Sequence, residues 1–227
     1  MNVTLESRFP IVVPVLPLDG HVLLPAAATP FRVSDPRHRR LVQDLLDRPP
    51  EERWVAVPPR AGARAADVAD DIAALGLLTV ATPLEGGEFI VVVEGRGACR
   101  LEHVTGESAA HPFAVPYAMA RIRHLADKPE SLGAARASTA GLIQALFGLY
   151  ESFGLAASEL PQSDQPLDDA GLVYRIGSAV IEDPVARAHL LSERCPARRR
   201  ELVQRHIVDQ MAFAVREGLL GRQAARC

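Results

Sequence analysis

Few residue groups in this 227-residue chain have the type and spacing to do chemistry. Gly95-Arg96-Gly97 is the nearest approach to a glycine-rich phosphate loop, but it lies between two strand-like runs. A phosphate cradle instead opens a helix, so that backbone N–H groups point at the anion. The triplet is read as a turn. The seven histidines are scattered, and His103 and His111 have no carboxylate nearby at ligand spacing, so no metal is expected. Asp70-Asp71 is a carboxylate pair, but neighbours on a strand face opposite ways, which argues against joint acid/base work. GxSxG, HExxH and GxGxxG patterns are absent from the sequence. The expectation is no catalytic residue, no cofactor and no metal.

Two segments are suited to binding. The run Arg194 to Arg205, centred on Arg198-Arg199-Arg200, could hold an acidic partner or a phosphate. Glu201 interrupts it and Glu193 can pair with it, so the favoured reading is a solvated helix face. The second segment runs from Gly20 to Pro30 and carries apolar residues where a connection is normally polar. Val22, Leu23, Leu24 and Pro25, with Phe31 beyond them, are the candidate protein-binding residues, because an exposed apolar patch can hold unfolded chains. The same segment can fold back as core lining, and the sequence leaves both readings open.

These residues need elements to position them. With 48% hydrophobic and 23% charged residues the chain can bury a core, and its length suits two lobes. Its net charge of −3 supplies no field for phosphate backbones, so nucleic acid is not an expected partner. Cys99, Cys195 and Cys227 have no metal-type spacing and are odd in number, which suits a reducing compartment. Neither a secretory leader nor a membrane-spanning run is read, so a soluble, cytoplasmic protein with no membrane partner is expected. Lys128 is the only lysine, most simply a mark of genomic base composition.

The first half reads as strands. Ile11 to Leu16, broken by Pro14, suits an edge strand or a bulge. Thr29 to Val33, Leu75 to Pro83, Phe89 to Val93, Arg100 to Val104 and Tyr117 to Leu125 follow, with Glu85-Gly86-Gly87 as a turn; Trp54 to Val57 is a short apolar piece, and Pro58-Pro59 with the stretch to Arg64 reads as a mobile loop. One helix interrupts them: Asp35 can cap it, Pro36 fits its first position, and Leu41, Val42, Leu45 and Leu46 share a face. From Asp127 onward the pattern is helical, with helices expected over Ser131 to Phe153 and Leu167 to Ile181. A third opens at Asp183-Pro184, and a last helix has Val203, Ile207, Met211 and Ala214 inward. The fold expected is α+β: an N-terminal β-rich pseudo-barrel lobe with one helix over residues 1–126, then a helical bundle lobe over 127–227.

The order of features resembles a known family. Pro14-Val15-Leu16-Pro17-Leu18 leads to Leu23-Leu24-Pro25, Pro30-Phe31-Arg32-Val33 and Asp35-Pro36-Arg37-His38-Arg39. Leu75-Gly76-Leu77-Leu78, Gly95 to Leu101, Pro112-Phe113 and Pro116-Tyr117-Ala118-Met119-Ala120 follow in order. Together they are similar to the Lon N-terminal, substrate-binding domain in its free-standing form. Asp183-Pro184 and Leu190-Leu191-Ser192-Glu193 resemble the stretch before that family's final helix. The chain departs from the pattern at His38, where tyrosine is usual, and at Asp19-Gly20-His21, which replaces a less polar segment.

The resemblance implies a domain that holds or selects protein substrates without catalysis of its own. A full Lon protease needs a GxxxxGK[ST] loop and a Ser/Lys pair, and Lys128 in its proline-flanked linker supplies neither. The function expected is a binding module for unfolded or extended protein segments, which could add a strand at an open sheet edge and use a cleft between the lobes. The alternative is a small-molecule carrier or uncharacterised enzyme using that cleft. A third reading is an adaptor for a separate protease, chaperone or ATPase partner. The oligomeric state stays open.

Overall fold

The computed structural model describes residues 10–60, 71–105, 116–128, 141–145, 148 and 168–216. The chain divides into two units, Met1–Ala126 with Pro184–Ser192, and Asp127–Asp183 with Glu193–Cys227. In the first lie strands β1 (Val12–Pro14), β2 (Leu18–Asp19), β3 (Ala28–Val33), β4 (Trp54–Val57), β5 (Pro59–Arg60), β6 (Ile72–Pro83), β7 (Phe89–Thr105) and β8 (Met119–His124). Helix α1 (Pro36–Leu46) stands between β3 and β4.

Six strands form an antiparallel sheet in the order β1-β8-β7-β6-β4, with β3 also on β7. β3 lies along Phe89 to Glu94 and β8 along Cys99 to Thr105, so the long β7 serves one partner with each half. The sheet is not closed. Its outer strands meet through one parallel bridge, Val15 with Ala56, where Leu16 N–H donates to Ala56 O at 2.9 Å. Val13, Val15, Ala56, Ala73, Leu75, Cys99, Ala120 and Ile122 form one buried cluster, and its alanines let a strongly curled sheet pack on itself. The fold is α+β, as expected from the alternating and β-branched runs.

Helix α1 follows its sequence signals. Asp35 accepts Arg37 N–H at 2.8 Å and Pro36 opens the helix, since its missing N–H would have had no partner there. Leu41, Val42 and Leu45 are fully buried, each contributing roughly 1.5–3 kcal/mol. The Tyr117 hydroxyl donates to Asp44 at 2.9 Å and ties the helix to the approach to β8.

One turn expected from the sequence is absent. Gly95-Arg96-Gly97 lies inside β7, a single strand of 17 residues. The register against β6 slips here, from Leu75 opposite Gly97 to Gly76 opposite Gly95, leaving Arg96 as the extra residue of a bulge. Glycine is required because a Cβ at Gly95 would collide with the Leu24 carbonyl, and one at Gly97 would stand 2.9 Å from the His124 ring. The glycines thus signal close approach within the strand.

In the second unit, residues 141–145 are helical, followed by α2 (Asp169–Val180). Helix α3 (Pro184–Ser192), opened by the expected proline, groups with the first unit and touches β5 and β6. Helix α4 (Pro196–Arg216) belongs to the second unit and packs on α2. Asp168 caps α2 by accepting Gly171 N–H at 2.7 Å. Val203 and Ile207 are buried on α4 as their spacing predicts, and Met211 is half-buried. The side chain of Ala214, most of the Ser131–Phe153 segment, Leu167, Asp70, His111 and Pro112-Phe113 lie outside the described residues.

The basic run is the clearest correction in this unit. Arg199 is 1% exposed and Arg200 3%, so these two are interior, whereas Arg194, Arg198 and Arg205 are exposed as a solvated face requires. Arg199 stacks its guanidinium 4.7 Å from the Tyr174 ring centroid. Its Nε donates to Glu193 O at 2.9 Å, and its terminal nitrogen pairs with the Asp127 carboxylate. A planar fork can satisfy several acceptors while lying flat on a ring, which is why arginine tolerates this burial. Glu193 turns its carboxylate to Cys195 N–H, 2.7 Å away.

Candidate protein-binding groove

The first unit carries an open groove of about 680 Å³. One wall is Leu16, Pro17, Leu18 and His21; the other is Pro30 to Asp35 with Arg37 and His38 at the start of α1. Strand alternation turns Phe31 and Val33 inward and leaves Pro30 and Arg32 exposed. Leu16, Leu18, Phe31 and Val33 line the groove but are all under a tenth exposed, so most of its accessible surface is polar. His21 stands edge-on to Phe31, with ring centroids 5.6 Å apart and planes at 88°. This T-shaped contact places the positive ring edge against a π face and fixes the rim.

Charges at the rim are matched. Arg32 pairs with Glu88 at 2.6 Å, and Arg37 forks onto Asp35 with contacts of 3.1 and 3.0 Å. The Arg37 guanidinium, more than the backbone N–H it supplies, holds the Asp35 carboxyl well below the usual aspartate range. With these pairs internally satisfied, the groove offers mainly hydrogen-bonding groups, with a smaller apolar share, and no strong field. That composition suits a polypeptide better than a phosphate or a metal. Among the described residues no cluster of His, Cys, Asp and Glu could hold a metal ion, and no helix is long and apolar enough to cross a membrane.

The candidates read from sequence fall in two places. Val22, Leu23 and Leu24 are at most 3% exposed and Pro25 is buried, so this segment takes the core-lining form and presents no surface patch. It lies against the bulge of β7: Ala26 N–H donates to Gly95 O and Gly95 N–H to Ala27 O, both at 2.8 Å. A Cβ on Gly76 would stand 3.0 Å from Leu23 Cδ2, so the two glycines make the room this loop fills. Phe31, by contrast, is on the groove wall. Leu16, Leu18, Ser34, Arg37 and His38 share that groove and were not among the candidates. No single local signal marks them, because Leu16 and Leu18 are separate in sequence from Ser34 to His38 and the two segments meet only once the chain has folded. The remaining titratable groups do not converge. Asp71 pairs with Arg100 at 2.7 Å, while burial pushes the Cys99 thiol up to about 12.

A family model described as the ATP-dependent protease La (LON) substrate-binding domain matches residues 12–209. Among solved structures, the N-terminal domain of the Mycobacterium avium complex Lon protease is similar, with a TM-score of 0.64 and 18% identity over 88% of this chain and 98% of that one. The Lon N-terminal domain protein from Xanthomonas campestris is similar with a TM-score of 0.53 and 18% identity over 84% and 95% of the two chains. No curated protein matches the sequence.

Proposed function

The chain belongs to the LON substrate-binding domain family, and from that premise we propose that it is a non-catalytic module that binds unfolded or extended segments of other proteins in the groove between Leu16–His21 and β3–α1. The observation that carries this reading is the groove itself, an open, mainly polar cleft whose rim charges are already paired. An extended chain can hydrogen-bond to such a surface through its backbone without breaking those ion pairs. Phe31 lines the groove wall, whereas Val22, Leu23, Leu24 and Pro25 act from behind, holding β3 against β7 through the Gly95 bulge. The module brings no ATP hydrolysis or peptide-bond cleavage of its own, since its only lysine, Lys128, follows Asp127 and not a P-loop glycine. A cytoplasmic setting suits the two free thiols at Cys99 and Cys195.

The test is a fluorescence anisotropy titration of a labelled, permanently unfolded protein, such as reduced and carboxymethylated α-lactalbumin. Micromolar-range binding is expected. Ser34→Trp fills the groove from an exposed position and should weaken binding about tenfold without changing the unfolding midpoint. No binding by the wild-type chain, or equal binding by Ser34→Trp, would contradict the reading.

A further inference from the structure

We propose that the groove reads the backbone of its ligand: an extended peptide pairs with the outer edge of β3 as an added strand. The proposal rests on the groove being the binding site and names how that site holds its ligand. β3 pairs only with β7 in the sheet, so one side of its backbone has no strand partner among the described residues. Which groups face that side follows from the ladder. Gly95 N–H donates to Ala27 O, so residue 27 points toward β7, and the register from Ala28 to Val33 then runs without a slip. Antiparallel alternation therefore turns Thr29, Phe31 and Val33 toward β7 and Ala28, Pro30 and Arg32 away from it. Pro30 fits only this phase, because a proline facing β7 would cost the ladder a donor.

Pro30 and Arg32 both line the groove, and the outward groups they carry by this alternation are Pro30 O, Arg32 N–H and Arg32 O. The facing wall cannot compete for them, since its backbone is engaged elsewhere. Leu16 N–H donates to Ala56 O at 2.9 Å, and Leu18 pairs with Pro59 in β5. Only another extended backbone matches a row of one donor between two acceptors at strand spacing. Pro30 limits the edge as well, because its missing donor prevents a long, continuous pairing of the kind that drives edge-to-edge aggregation. The occupant expected is a short extended segment with β-branched residues, bonded through its alternate amides.

The experiment uses the full chain and a fluorescein-labelled peptide of alternating valine and threonine with a lysine at each end. Two further peptides carry N-methyl groups on the valine amides alone or on the threonine amides alone. The two-residue repeat preserves the phase if the peptide slips along the edge. One methylated peptide should bind about tenfold more weakly and the other as the parent does, because only one set of amides donates to Pro30 and Arg32. In parallel, hydrogen exchange of the Arg32 amide should slow at least about tenfold when the parent peptide binds. Binding in the groove, mapped by its loss in Ser34→Trp, with both methylated peptides equal to the parent and Arg32 exchange unchanged, overturns strand pairing and leaves the groove reading standing. Absence of any binding overturns both. Slowing of Arg32 exchange with protein concentration and no peptide would assign the edge to a second copy of the chain and overturn the proposal.

Discussion

At the scale of single residues, the described side chains work by satisfying one another. Asp35 shows this at the groove rim, where it caps α1 and receives the Arg37 fork. Its folded-state pKa lies below its unfolded one, so its contribution is complete above about pH 4 and is lost as the pH falls toward the lower folded value. Wild-type stability should therefore drop more between about pH 5 and about pH 3 than that of Asp35→Asn, which keeps a capping oxygen but cannot ionise. Urea unfolding at the two pH values measures this, and equal drops would show that the fork contributes nothing. Arg199 makes a similar case in the second unit. Arg199→Lys keeps the charge but cannot lie on Tyr174 while reaching both Glu193 O and Asp127, so it should lose about 2 kcal/mol in the same assay. A loss under about 0.5 kcal/mol would mean that charge alone suffices there. Cys99, fully buried with its thiol pushed up to about 12, should resist iodoacetamide at pH near 8 until the chain unfolds, while the half-buried Cys195 reacts. Peptide mapping by mass spectrometry checks it, and early Cys99 labelling would contradict the packing described.

The elements matter through their contacts with the backbone. β7 depends on Gly95, and Gly95→Ala should cost about 1–3 kcal/mol because its methyl group meets the Leu24 carbonyl and no flexible side chain can yield. Displacing that carbonyl also disturbs Ala26 and Ala27 at the start of β3, so the variant should weaken client binding while keeping its circular dichroism spectrum. Unchanged stability and binding would separate the loop from the groove. The same strand marks the limit of what the sequence made legible. Helix α1 was readable because a cap, a proline and an apolar stripe are local signals that agree. Gly95-Arg96-Gly97 read as a turn because turns and bulges use the same residue, and only the distant Leu24 distinguishes them. Arg199 and Arg200 read as solvated because their burial depends on Tyr174 and Asp127, which are remote in sequence. Phe31 was found as an apolar residue near an apolar loop, whereas Leu16, Ser34 and His38 become neighbours only once β3 has docked on β7. Local chemistry writes itself into neighbouring letters; a groove formed by long-range pairing does not.

For the molecule as a whole, the family match and the groove bear on one question, whether this chain holds other proteins. The β unit supplies a mainly polar groove, paired rim charges and a strand edge with no strand partner among the described residues, none of which needs a cofactor. Binding should accordingly tolerate moderate salt, since no net field draws the ligand in, and a steep salt dependence would point to a charged site elsewhere. The most direct measurement is an amide chemical-shift map of the isotopically labelled chain, recorded as an unfolded protein is added. The largest changes are expected along Leu16–His21 and Pro30–His38. Changes confined to other surfaces, or none at concentrations well into the micromolar range, would contradict binding in the groove.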